Sequence, residues 1–108
     1  MVQGPYPLSQ AGDVYVKSGP GVYAFSRNRE RIEFLGRSDT ELHLRIRQSA
    51  EQADGYRYFW FEDAASAKDA YLQECRCFHE HRPPDNLNHP TASPGADWKC
   101  PVKGCDQG

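Results

Sequence analysis

Short β-rich runs alternate with stretches of helical period between Gly21 and His81, and this alternation restricts the fold more than any other feature of the chain. Val22-Tyr23-Ala24-Phe25 and Ile32-Glu33-Phe34-Leu35 are rich in β-formers. The polar turn Arg27-Asn28-Arg29-Glu30 separates them and Gly36 stops the second, so the two read as a hairpin. Ser38 followed by Glu41 is a capping box, in which a hydroxyl and a carboxylate satisfy orphan helix amides reciprocally. Leu42, Ile46, Ala50 and Ala53 then recur at helical spacing, which predicts a helix over 39–53 ended by Asp54-Gly55. Tyr56 to Phe61 is aromatic and β-prone, giving a third strand. Asp63 can cap a second helix running to about His81, and Pro83-Pro84 stops it. The order β-β-α-β-α, with one hairpin and one long crossover, argues a small α/β sandwich and not a doubly wound sheet.

The ends of the chain read differently. Residues 1–20 hold three Pro and three Gly without a sustained period, which gives an irregular arm with a short extended piece at Val14-Tyr15-Val16. The last two dozen residues are equally broken. A length of 108 residues allows one modest core and not two. Hydrophobic residues at 38% and charged residues at 26% fit a soluble globular domain. No apolar run reaches membrane-spanning length, and MVQGPYPLSQ lacks the layout of a secretory signal, so the expected compartment is the cytoplasm and no membrane contact is expected. A net charge of −2 does not mark a nucleic-acid binder. Arginines are concentrated between Arg27 and Arg57, but acidic residues in that stretch nearly cancel them.

All four cysteines fall in the C-terminal third, at Cys75, Cys77, Cys100 and Cys105, with His79, His81 and His89 among them. In a reducing compartment such a cluster points to a metal before a disulfide. Cys100 and Cys105 have four residues between them, within the range of zinc knuckles. Cys75 and His79 lie one helical turn apart, as do Cys77 and His81. At 100° per residue Cys77 lies beside the faces of Glu74 and Phe78, while Cys75 and His79 project from a neighbouring face toward the tail. The expected site is structural Zn²⁺ on Cys75, His79, Cys100 and Cys105, with His89 in reserve and Cys77 and His81 as alternatives. It would fix a tail too short to form a core of its own.

Gly21-Val22-Tyr23 and Phe34-Leu35-Gly36 are individually unremarkable. They are followed in order by Leu42-His43-Leu44-Arg45, by Glu74 in the second helix, by Pro83 nine residues on and by Asn86 twelve on. In this succession the chain resembles the GIY-YIG nuclease family over roughly residues 20–87. Asp85 to Pro90 and Trp98-Lys99-Cys100-Pro101 look like small bacterial members with a cysteine-containing C-terminal tail.

The resemblance implies a GIY-YIG-like sandwich with a three-stranded antiparallel sheet flanked by helices. It divides the chain into an arm (1–20), a nuclease domain (21–87) and a zinc-binding tail (88–108) packed on it. It also implies a metal-dependent endonuclease that hydrolyses a phosphodiester bond of DNA, by nicking or by structure-specific cutting. Glu74 would hold one Mg²⁺ or Mn²⁺, Tyr23 would take the proton of the attacking water, and Arg37 and Arg45 would lower the Tyr23 pKa and clamp the phosphate. Asn86 would orient Glu74 or a phosphate oxygen. Such chemistry needs a cation for developing charge, a base and help for the leaving oxygen. This chain departs from the family at Phe34, where the second phenol is missing, at Ser49, where a His is common, and at Gln73, an apolar position. The alternative is therefore a weak or inactive DNA-binding or protein-interaction module. So small a surface would take its specificity from a partner protein, a homodimer or DNA shape.

Overall fold

The computed structural model describes residues 3–52, 55–86, 88–102 and 105. Its strands are β1 (Gln3–Pro7), β2 (Gly21–Ser26), β3 (Phe34–Ser38) and β4 (Tyr58–Asp63), and its helices are α1 (Leu42–Glu51) and α2 (Ala67–His81). They form one antiparallel sheet in the order β1-β4-β2-β3. Four strands replace the expected three, because the proline-rich start of the chain supplies an edge strand. Proline is tolerated on an edge, where its missing N–H faces no neighbour. Pairing of β1 with β4 slips between Gln3 and Tyr6, and the Tyr6 ring lies over Phe59 and Phe61 at 5.6 and 6.0 Å. A side chain at Gly4, whose φ is +123°, would stand 2.8 Å from the Phe59 carbonyl. The piece expected to be extended, Val14 to Val16, is irregular, and Val16 is buried in the core.

Every residue of β2 is buried, since it pairs on both edges and has a covered layer on each face. Alternate side chains divide between those layers. Tyr23 and Phe25 join Phe59 and Phe61 of β4 with Leu42 and Ile46 of α1. Val22 and Ala24 join Trp60, Leu35 and Cys77 of α2. The sheet is thus sandwiched between the two helices. The far side of α2 is covered in turn by the tail, where Tyr71, Cys75 and Cys100 pack with Trp98 and Val102.

Element boundaries shift where capping differs from expectation. Ser38 ends β3 and its hydroxyl accepts from the Glu41 amide at 3.0 Å. The Glu41 carboxylate does not return the bond; it accepts from the Ser18 hydroxyl and the Gly19 amide, pinning the N-terminal segment to the helix entrance. The helix therefore begins at Leu42. Asp63 belongs to β4, and the cap of α2 is Ser66, which accepts from the Asp69 amide at 3.1 Å. Arg82, at φ 45°, closes α2 in the left-handed conformation just before Pro83. Ala53, Asp54 and Leu87 lie outside the described residues. Among the described residues no helix is long and apolar enough to cross a membrane.

Candidate functional site

Three expected site residues border one open polar cavity of about 870 Å³: Arg37 from β3, Arg45 from α1 and Glu74 from α2. Asp39, His89 and Thr91 also line it, so the tail forms one of its walls. Glu74 is only 8% exposed. Its Oε1 accepts from Arg37 Nη1 at 3.0 Å, while Arg37 Nε donates to Asp39 at 2.7 Å. Arg37 Nη2 donates to the Thr91 carbonyl at 2.8 Å, and the guanidinium lies 5.2 Å from the Tyr71 ring centroid. One cation therefore bridges two carboxylates and a tail carbonyl. Burial raises the Glu74 pKa to about 7, against the pull of Arg37 and with a smaller push from Asp39.

Tyr23, the remaining base of the expected site, does not line this cavity and is buried in the core. Its hydroxyl is 3.1 Å from Ser49 Oγ, one helical turn beyond Arg45 on α1. Burial raises the Tyr23 pKa, Ser49 and Arg45 lower it, and Glu74 raises it. Arg37, expected to act on this phenol, is committed to Glu74 and Asp39 instead. Arg45 makes no ion pair among the described residues. Across the β2–β3 ladder Tyr23 is paired with Gly36, and a Cβ at Gly36 would overlap the phenol.

Asn86 does something other than the expected task. Its Oδ1 accepts from the Leu35 amide and its Nδ2 donates to the Leu35 carbonyl, both at 2.8 Å. The carboxamide thus imitates a neighbouring strand on the free edge of β3. It reaches the site only through the strand that carries Gly36 and Arg37.

A second cluster lies where the tail returns to the end of α2. His79, His89, Cys100 and Cys105 each offer one ligand atom, and these atoms all lie within 4.8 Å of one another. His79 Nε2 and His89 Nε2 are 3.2 Å apart, and Cys105 Sγ is 3.3 Å from His89 Nε2. Ligands about 2.0 to 2.3 Å from a tetrahedral zinc ion are separated by similar distances, and two thiols with two imidazoles are an ordinary zinc donor set. The His89 Nδ1–H donates to the Pro90 carbonyl at 2.7 Å, which leaves Nε2 with its lone pair toward the cluster. The four residues could hold a metal ion, and their chemistry is consistent with zinc. Cys75 is not among them. It is fully buried beneath Cys100 against Tyr71, and burial pushes its thiol up. His89 takes the place expected for Cys75, whose thiol is buried in the packing between α2 and the tail. Sequence reading missed Asp39 and the tail wall altogether. Only a polar residue after a strand end marks Asp39, and a common signal of that kind carries little weight.

Comparison of the chain with family models, characterised proteins and solved structures gives no match.

Proposed function

We propose that this chain is a metal-dependent endonuclease that hydrolyses a phosphodiester bond of DNA, in the manner of the GIY-YIG family, with its tail fixed by structural Zn²⁺ on His79, His89, Cys100 and Cys105. One observation carries the reading: Arg37, Arg45 and Glu74, distant in sequence, border one polar cavity, and the Tyr23 phenol lies within the field of Arg45 and Glu74. Glu74 would hold Mg²⁺ or Mn²⁺, hard cations that prefer oxygen ligands and retain several waters, and a cavity this open and polar leaves room for that shell. When bound, the cation supplies stabilisation of the charge that develops at the leaving oxygen.

The chain's own groups divide the remaining work. Arg45 clamps the phosphate, and Arg37 moves part of its bonding from Glu74 to a phosphate oxygen. Tyr23 takes the proton of the water that attacks phosphorus, as the bond from phosphorus to the departing sugar oxygen breaks. Arg45 and the Ser49 hydroxyl favour the phenolate that this requires, against the opposing effect of burial. Ser49 thus stands in for the His common at this place in the family, orienting the base without being one. A partner protein or a homodimer would supply sequence preference.

The non-catalytic module is favoured by a different observation. Arg37 already neutralises Glu74, and burial outweighs the cationic help at Tyr23. Incubation with flapped, branched and plain duplex DNA in Mg²⁺ and in Mn²⁺ separates the two readings. Cutting that disappears in Glu74→Ala and Tyr23→Phe supports the enzyme. Binding of all three substrates without cutting supports the module.

A further inference from the structure

A smaller cavity of about 380 Å³ opens beyond Ser49, on the α1 side of the sheet. Half of its lining is aromatic, from Phe25, Phe34 and Tyr56, and half is polar, from Ser49, Gln52 and Asp85. Phe25 and Phe34 are nearly parallel, at 18° with centroids 6.1 Å apart, and Tyr56 stands 6.3 Å from Phe34. Tyr56 is held from two directions. Its hydroxyl donates to Asp85, and the Arg27 guanidinium, itself bonded to Asp85 at 3.1 Å, covers its ring at 4.7 Å. Phe34 and Tyr56 are both half-buried, so ring surface is presented to the opening.

The position of this cavity gives it meaning. Arg45 borders the phosphate cavity and Ser49 borders this one, four residues and about 6 Å further along the α1 axis. Between them lies the hydrogen bond from Tyr23 to Ser49. A phosphate and the base of its own or an adjoining nucleotide are separated by a similar distance. A flat ring with hydrogen-bonding edges suits both halves of the lining: stacking surface from the phenylalanines and tyrosine, and an amide that donates and accepts from Gln52. Asp85 is already bonded to Tyr56 and Arg27, and Ser49 to Tyr23, so Gln52 supplies the hydrogen bonds to the edge of that ring.

We infer that the cavity bounded by Phe34, Tyr56 and Gln52 receives one unstacked nucleobase beside the phosphate that Arg45 and Glu74 hold. The inference rests on the nuclease reading and deepens it. A base inside a duplex must first be unpaired and unstacked, which costs least where it is mispaired or already single-stranded, so single-stranded, flapped or mispaired DNA is the favoured substrate. Phe34 acquires a function here: it is the stacking wall, where a phenol would bring a hydroxyl to an apolar surface.

The test uses the full-length chain carrying Glu74→Gln, so that DNA is bound and not cut, and fluorescein-labelled single-stranded oligonucleotides with one abasic site moved along successive positions. Anisotropy is expected to show one position at which base loss weakens binding about tenfold, as the loss of one base stacked on an aromatic side chain does. Gln52→Ala, at an exposed position that does not threaten folding, and Phe34→Leu should each bring the affinity for the intact oligonucleotide toward that for the abasic one and so flatten that positional dependence. Binding that is equal wherever the abasic site falls overturns the base pocket and leaves the nuclease reading standing. Failure to bind any oligonucleotide or flapped duplex overturns both.

Discussion

Tyr23 and Gly36 face each other across the β2–β3 ladder with the phenol lying where a side chain at position 36 would begin. The two motif positions that frame the hairpin are therefore one packing unit. The glycine leaves room for the tyrosine, and the tyrosine fills what the glycine leaves open. The phenol is thereby held with its oxygen on Ser49 of α1.

Gly36→Ala should destabilise the fold by about 1–3 kcal/mol through overpacking. Tyr23→Ala should relieve the overlap, so that the double variant is less damaged than the sum of the single ones. Urea unfolding of the four proteins measures this coupling. A Gly36→Ala variant as stable as the parent would refute the packing argument.

Glu74 gives the protein a pH dependence with a definite sign. Its folded-state pKa lies at about 7, above the ordinary value of 4.5. The stability it contributes is complete below pH 4.5 and is lost as pH rises through about 7, because the folded state binds the proton more tightly. In metal-free buffer the parent should therefore lose stability relative to Glu74→Gln between those limits. Denaturant midpoints from pH 4 to 8 read this directly. Parallel curves for the two proteins would exclude it.

Asn86→Ala removes both bonds to the Leu35 backbone and should cost about 1–3 kcal/mol. Asn86→Asp keeps an acceptor for the Leu35 amide and should fall between the two. Hydrogen exchange at Leu35 would report the same change locally. If DNA cutting falls in Asn86→Ala only as far as the folded fraction does, Asn86 positions β3 and has no separate task at the phosphate.

Metal analysis distinguishes the ligands. Cys100→Ser and His89→Gln should each lose zinc and lower the unfolding midpoint, since binding and folding of such a tail are one equilibrium. Cys75→Ala should retain zinc and show only the cost of a small cavity. Zinc lost from Cys75→Ala and kept by His89→Gln would restore Cys75 to the site.

Much of this architecture was legible in the sequence because local signals and long-range packing agree. The β-β-α-β-α order followed from the periods of Val22 to Phe25, Leu42 to Ala50 and Tyr58 to Phe61. That Arg45 and Glu74 border one cavity is what the resemblance to GIY-YIG nucleases implied, and their spacing alone could not show it. Strand β1 was hidden because Gln3-Gly4-Pro5-Tyr6-Pro7 has the composition of a loop, and only its edge position makes two prolines acceptable. His89 was placed second to Cys75 because helix geometry shows which side chains leave α2, and it does not show where an aperiodic tail returns. Asp39 and Thr91 meet Arg37 through tertiary placement alone.

The tail wall has a practical consequence. His89 belongs to the four-residue cluster, and two residues further on the Thr91 carbonyl holds the guanidinium that neutralises Glu74. If these residues hold zinc as proposed, removing it with a chelator during purification would slacken that grip on Arg37. Under the proposed nuclease reading such a preparation would score as inactive, and returning zinc before the assay is the control that tells sabotage from inactivity.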